Sequence, residues 1–223
     1  MTYVKLSYSL DDNSPVHVDL DKPEIKQNNF ISTEGYNSYI IKAENHSGTH
    51  VDAPGHFMEE GKIISQYTPG QLVYKNPLIL DVPKSANELI ELEDIETQNF
   101  DDLDILFFRT GFEKFRGEDT GKYLTQNPGI SPEVINWIRR NYPRIRSVGM
   151  DLISMSSYKY PEFGKEAHIN AFKESKEFGD PLLIIEDMKL GDVKNNTLKE
   201  VMIVPWQIDG VDSAPCTVLA DIE

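Results

Sequence analysis

The sequence predicts a mixed α/β fold, a curved mixed sheet or open barrel with helices packed outside. Three observations carry this expectation. Six short apolar segments bounded by turn residues read as strands, and only two segments read as helices. Many connections between them are short. Hydrophobic residues make up 39% of the 223-residue chain, enough for a sizeable core, and the whole of 1–223 is expected to form a single domain.

Taken in order, "SYIIKAEN" (38–45) is the first strand, and it runs directly into a histidine-rich stretch. "PLILDV" (77–82) and "DILFFRT" (104–110) are short apolar runs of the kind buried in a sheet. The acidic stretch 88–104 reads as a solvated helix and loop. "SPEVINWIRRNYP" (131–143) is the clearest helix. Ser131 is placed to cap it, Pro132 takes its first position, Pro143 lies beyond its end, and Val134, Ile135 and Ile138 share one face. "RSVGMDLIS" (146–154) is the next strand. "KEAHINAFKESKEF" (165–178) is the second helix, with a thin stripe of Ile169, Phe172 and Lys176. "PLLIIED" (181–187) and "VMIVPWQI" (201–208) complete the strands.

The formal charge of -15 disfavours nucleic acid and anionic membrane surfaces as partners. It leaves a small-molecule substrate open, because a bound cation reverses the local sign. The one cysteine, Cys216, has no partner for an internal disulfide and reads as a small apolar residue. The N-terminus lacks a basic region followed by an apolar run, and no apolar run approaches the roughly 20 residues of a membrane span, so a cytoplasmic protein is expected. Neither nucleotide-binding glycine signature is present, nor is a G-x-S-x-G elbow.

The chemistry concentrates in "HSGTHVDAPGHF" (46–57), which holds three of the five histidines. Gly48 and Pro54 make a regular helix poor there, so a loop leaving the strand 38–45 is expected. His50 and Asp52 are two apart, and an extended segment points both to one side. His46, His50 and Asp52 can therefore grip one side of a divalent ion, and imidazole with carboxylate suits zinc, manganese or iron. His56, just past Pro54, is placed to move protons beside the ion. Three ligands leave an ion half bare, so others must come from elsewhere. His168 and Glu186 are the candidates. Asp187 adjoins Glu186, and in a regular strand only one of the two can face the site. His17 stands alone and reads as a surface or packing residue.

These residues resemble the H-x-G-T-H-x-D-x-P-x-H signature of the metal-dependent cyclase family, which includes bacterial kynurenine formamidases and isatin hydrolases. "LFFRTGF" (106–112), "SVGMDLISM" (147–155), the stretch from His168 to "IIEDMKL", and "IDGVDSAP" (208–215) extend the likeness over most of the chain. The resemblance implies a swivelling β/β/α fold, a divalent metal hydrolase, and a homo-oligomer, dimer or tetramer. It implies that His46, His50, Asp52, His168 and Glu186 bind one or two zinc or manganese ions, with Asp52 or Glu186 able to bridge, and that His56 transfers protons. The segment that helps shape an aromatic pocket in the formamidases reads "SPVHVDLDKPEI" here, without tryptophan or Pro-Gly, and "APCTVLA" lacks a basic residue after the closing proline. The expected reaction is cleavage of a small amide, an N-formyl aromatic amine, by a metal-bound hydroxide with His56 as proton shuttle. The alternatives are a cyclic amide or lactone hydrolase and a non-catalytic metal-binding homologue.

Overall fold

The structure is a computed structural model and describes residues 2–194 and 197–222. In chain order the strands are β1 (Thr2–Lys5), β2 (Glu24–Asn29), β3 (Ser38–Lys42), β4 (His50–Asp52), β5 (Val73–Tyr74), β6 (Pro77–Asp81), β7 (Leu89–Ile90), β8 (Ile105–Arg109), β9 (Gly129–Ile130), β10 (Ser147–Met150), β11 (Leu183–Glu186), β12 (Leu198–Pro205) and β13 (Ser213–Ile222). The helices are α1 (Ile31–Glu34), α2 (Lys114–Glu118), α3 (Thr120–Thr125), α4 (Pro132–Asn141) and α5 (Pro161–Phe172).

Nine strands form one mixed sheet in the order β5-β12-β13-β4-β11-β10-β8-β6, with β1 added along β13. The strands from β6 to β11 run parallel, and β4, β12, β13 and β5 pair antiparallel. β5 and β6 lie at opposite ends of this path, yet only Lys75 and Asn76 separate them in the chain. Three residue steps span about 10 Å at most. The sheet must therefore curl until its ends approach, which gives the expected barrel-like form.

The parallel strands alternate across the curl. Ile105, Phe107, Leu183 and Ile185 fill the inside with Val51, Tyr74, Ile79 and Val201. Leu106, Phe108, Val148, Met150 and Ile184 face outward and are covered by α4, through Val134, Ile135 and Ile138, and by α5, through Ala167, Ala171 and Phe172. Both faces of these strands are buried, which is why they read as unbroken apolar runs. α4 forms as its sequence requires: Pro132 occupies the first turn and the Ser131 hydroxyl accepts from the Glu133 N–H at 3.4 Å.

Several elements differ from expectation. α5 starts and ends earlier than 165–178, because Pro161 opens its first turn. Its buried residues are Gly164, Ala167, His168, Asn170, Ala171 and Phe172; of the expected stripe Phe172 is buried, while Ile169 is only half-buried and Lys176 lies beyond the helix. A Cβ at Gly164 would lie 2.4 Å from the Ser156 Cα, so only glycine lets the helix approach the loop after β10 this closely. The strand expected at 38–45 stops at Lys42 and pairs only with β2, outside the main sheet. The histidine stretch is not a loop throughout, since His50–Asp52 is a strand within the main sheet. The segment 88–104 contains no α-helix. Ile90, Ile95 and Phe100 turn inward from β7 and a single 3-10 turn while the acidic residues between them stay out. Among the described residues, no helix is long and apolar enough to cross a membrane.

Candidate metal centre

β4 lies antiparallel between β11 and β13. Its register sets Asp52 opposite Ile184 and Ser213, and His50 opposite Glu186 and Pro215. Val51 points into the barrel, so His50 and Asp52 share the outward face, and Glu186 joins them there because directly opposed residues lie on one side. Just upstream, Gly48 has φ +62, a conformation that favours glycine, and the chain turns there between His46 and β4. Pro54–His56 forms a 3-10 turn that returns His56 to the same place. α5 delivers His168 from the covering layer.

The donor atoms converge. His46 Nδ1 lies 3.1 Å from Asp52 Oδ1, His50 Nε2 lies 3.4 Å from Asp52 Oδ1 and 3.5 Å from Glu186 Oε2, and His168 Nε2 lies 3.4 Å from Glu186 Oε1. The ligand atoms of His50, Asp52 and Glu186 all fall within 4.8 Å of one another, and so do those of His46, Asp52 and His56. Asp52 belongs to both groups, the arrangement a carboxylate needs to bridge two ions.

Hydrogen bonds fix how the imidazoles are presented. His50 Nδ1 is 2.9 Å from the Gly48 carbonyl and His168 Nδ1 is 2.8 Å from the Gly164 carbonyl. A carbonyl only accepts, so both Nδ1 atoms carry the proton and both Nε2 atoms offer a lone pair to the centre. Glu186 is steadied by the Ser154 hydroxyl at 3.1 Å and the Met155 N–H at 2.6 Å. His50 Nε2 and both Asp52 carboxylate oxygens are buried without a hydrogen-bond partner. Buried polar atoms are rarely left so, and a divalent cation would satisfy all three at once. The mixed imidazole and carboxylate set fits zinc or manganese.

The electrostatics agree. Burial alone would pull His46 down, but Asp212 and Asp52 outweigh it and push its pKa up to about 10. His168 is likewise raised, as Glu186 outweighs its burial. Burial would raise Asp52 and Glu186, yet the neighbouring histidines hold both below the ordinary carboxylate range. The cluster seeks positive charge, and protons on imidazole take that role when no metal ion does.

Five of the six expected site residues, His46, His50, His56, His168 and Glu186, line one cavity of about 250 Å³ with Leu20, Phe57, Ile153 and Ser156, and Asp52 joins them through its donor atoms. Of the adjacent pair, Glu186 faces the centre. Asp187 is turned away onto Arg116 and Tyr123. His17 is half-exposed, as expected, but it also lines this cavity, so all five histidines of the chain stand around it or on its rim. Sequence reasoning missed Asp212. Its Oδ2 lies 2.9 Å from His56 Nδ1 and 3.7 Å from His46 Nε2, and its carbonyl accepts from the Ala53 N–H. The matched segment "IDGVDSAP" contains this acid, and its position immediately before β13, the neighbour of β4, is the signal that could have found it.

The sequence matches the family described as "Cyclase: Putative cyclase" over residues 4–157. The chain belongs to the cyclase family. An uncharacterized protein of Haemophilus influenzae is 35% identical to this cyclase-family chain over 117 residues, 52% of this chain and 82% of that protein. A kynurenine formamidase of Bacillus cereus is 29% identical over 173 residues, 76% of this chain and 73% of that protein. The fold is similar to that of isatin hydrolase A from Labrenzia aggregata, with a TM-score of 0.82 and 19% identity over 98% of this chain and 93% of that one.

Proposed function

We propose that this cyclase-family protein is a hydrolase that cleaves a small amide, an N-formyl aromatic amine, at a centre of one or two zinc or manganese ions held by His46, His50, Asp52, His168 and Glu186. When bound, a divalent ion supplies Lewis acidity, activating water and polarising a carbonyl. The chain's own residues do the rest. His56 Nδ1 is engaged by Asp212, which orients the ring and leaves Nε2 free to take a proton from the attacking water and pass it to the leaving nitrogen. Phe57 packs edge-on to His56 and stacks on His168, so it limits water around both rings.

The observation that carries this reading is the His56–Asp212 pair beside His50, Asp52 and Glu186, a donor group that is complete without His56. A centre that only stored metal would have no use for an oriented base. A cyclic amide or lactone of the isatin type is the second reading, favoured by one fact: among the described residues no lysine or arginine lines the cavity, which suits an uncharged ring. Hydrolysis of formanilide, isatin and simple lactones by metal-loaded protein tests both.

We also infer that the protein is a homo-oligomer, dimer or tetramer, with β2 and β3 contributing to the interface. Among the described residues this two-stranded ribbon pairs with no other strand, and Phe30, Ile31, Tyr36, Tyr39, Ile40 and Ile41 along it are exposed. An isolated hairpin of this kind is marginal in water. Glu24 and Glu34 are balanced by Lys26 and Lys42, so two copies meet there without the repulsion that the chain's net charge of -15 imposes elsewhere.

A further inference from the structure

In β4 and β11 the last paired residues are His50 and Glu186. One step further, Thr49 and Asp187 would be the next pair, but Asp187 has φ +52 and the ladder ends. Residues with a Cβ rarely adopt that conformation, and it turns the Asp187 carboxylate away from the centre. A side chain continues the pairing where the backbone cannot: the Thr49 hydroxyl donates to the Asp187 carbonyl. The Asp187 carboxylate in turn receives Arg116 bidentately, at 2.7 Å from Nε and 2.8 Å from Nη2, and the Tyr123 hydroxyl at 2.7 Å. The Arg116 guanidinium lies 3.8 Å from the centre of the Tyr8 ring, and the Tyr8 N–H donates to the Thr49 hydroxyl at 3.0 Å. Thr49, Asp187, Arg116 and Tyr8 thus close a ring of contacts, and Thr49, Asp187 and Tyr123 are buried.

We propose that this ring is a clasp that sets the separation of His50 and Glu186, and that Thr49 and Asp187 are positioning residues of the metal centre. The inference rests on the metal-centre reading above. His50 Nε2 and the Asp52 carboxylate have no hydrogen bond of their own. Gly48 holds the His50 ring from Nδ1, and Ser154 and Met155 hold Glu186, but none of these contacts crosses from β4 to β11, so the distance between the two strand ends is left to the contacts behind them. The clasp grips the residue before one ligand and the residue after the other, and it lies on the side away from the cavity, where it cannot touch substrate.

Cobalt(II) titration tests this, because its visible d–d bands report ligand geometry as well as occupancy. Thr49→Val keeps the shape and removes the hydroxyl. It is expected to weaken cobalt binding about tenfold to hundredfold and to shift the bands, as loss of contacts behind metal ligands does. Thr49→Ser is expected to restore both, and Asp187→Asn, which weakens the Arg116 grip, to act in the same direction. Ser131→Ala, which uncaps α4 elsewhere, is expected to lower the melting temperature by about 2–4 °C with cobalt affinity and bands unchanged. Thr49→Val with wild-type affinity and spectrum would overturn the clasp alone. So would a loss that Thr49→Ser fails to restore. Wild-type protein that takes up no cobalt would overturn both the clasp and the metal centre.

Discussion

His56 and Asp212 are 156 residues apart in the chain, yet Nδ1 of one lies 2.9 Å from Oδ2 of the other. The pairing is made at the mouth of β4, where the Ala53 N–H donates to the Asp212 carbonyl and Ser213 stands opposite Asp52. The same sheet register that aligns the expected ligands therefore orients the proposed base. His56→Ala is expected to retain metal and lose turnover by about 10² to 10⁴. Asp212→Asn is expected to retain metal and lose a smaller part. Normal turnover in His56→Ala would make His56 structural, and loss of metal would place it among the ligands.

Metal content is the next expectation. Purified protein should carry about one or two zinc or manganese ions per chain, as five donors allow. His50→Ala and Asp52→Ala each remove a donor at the crowded centre and should strip most of that metal. Elemental analysis with only trace divalent metal after reconstitution rules the centre out.

Glu186 and Asp187 separate two kinds of loss. Glu186→Gln removes a donor and relieves repulsion from Asp52. It should cost the protein its metal, while the metal-free fold loses only the smaller stabilisation that His168 and His50 give the carboxylate. Asp187→Asn weakens a buried ion pair with Arg116, so its principal cost should be stability, of order 3–5 kcal/mol for an uncompensated partner. Chelator competition and thermal melts on the two variants check this. The reverse assignment would require β11 to slip by one residue.

The metal-free protein should show an unusual pH profile. His46 is raised from 6.5 to about 10 in the fold, so the stability it confers is complete below roughly pH 6.5 and is lost as pH rises through about 10. Glu186, Asp52 and Asp212 are held below their ordinary 4.5 and 3.8, so their contribution is complete above roughly pH 4.5 and is lost on acidification. Chelated protein should therefore melt highest between roughly pH 4.5 and 6.5 and lose stability toward pH 10. Added zinc should flatten the alkaline side, because metal takes the unprotonated imidazole. A chelated sample as stable at pH 9 as at pH 6 contradicts this.

Much of this was legible in the sequence, for physical reasons that can be named. "ILFF" and "LLII" are strands buried on both faces and show as unbroken apolar runs. His46, His50 and Asp52 lie within seven residues, so covalent proximity alone brings them together. Other parts depend on distant partners. α5 buries glycine, alanine, asparagine and histidine with Phe172 as its one large apolar residue, so its periodicity is faint. β13, "SAPCTVLADI", holds Pro215, a residue that argues against an interior strand, yet it lies between β12 and β4. Glu186 and Asp187 are equivalent until the register to β4 is known, and Asp212 looks like any turn acid until β13 is placed beside the histidines.

The substrate is the last expectation. The cavity of about 250 Å³ has room for little more than one aromatic ring and its acyl group, and apolar walls come from Phe57, Leu20 and Ile153. Among the described residues no lysine or arginine lines it, Glu186 does, and Asp212 holds His56 at its edge. An amino-acid substrate would bring a carboxylate with no cationic side chain to receive it, and burying an unpaired charge is costly. Neutral N-formyl arylamines and isatin should therefore be hydrolysed with a higher kcat/KM than N-formylkynurenine, by about tenfold or more, the effect of one lost charge-assisted hydrogen bond. A panel of formanilides, N-formylkynurenine, isatin, cyclic imides and lactones, run with zinc and then with manganese, decides the matter. Preference for N-formylkynurenine would place an unrecognised cation near the cavity, for instance from a second copy of the chain. Activity on lactones alone would reject amide cleavage. Inactivity across the panel in protein that holds its metal would leave the non-catalytic homologue as the reading.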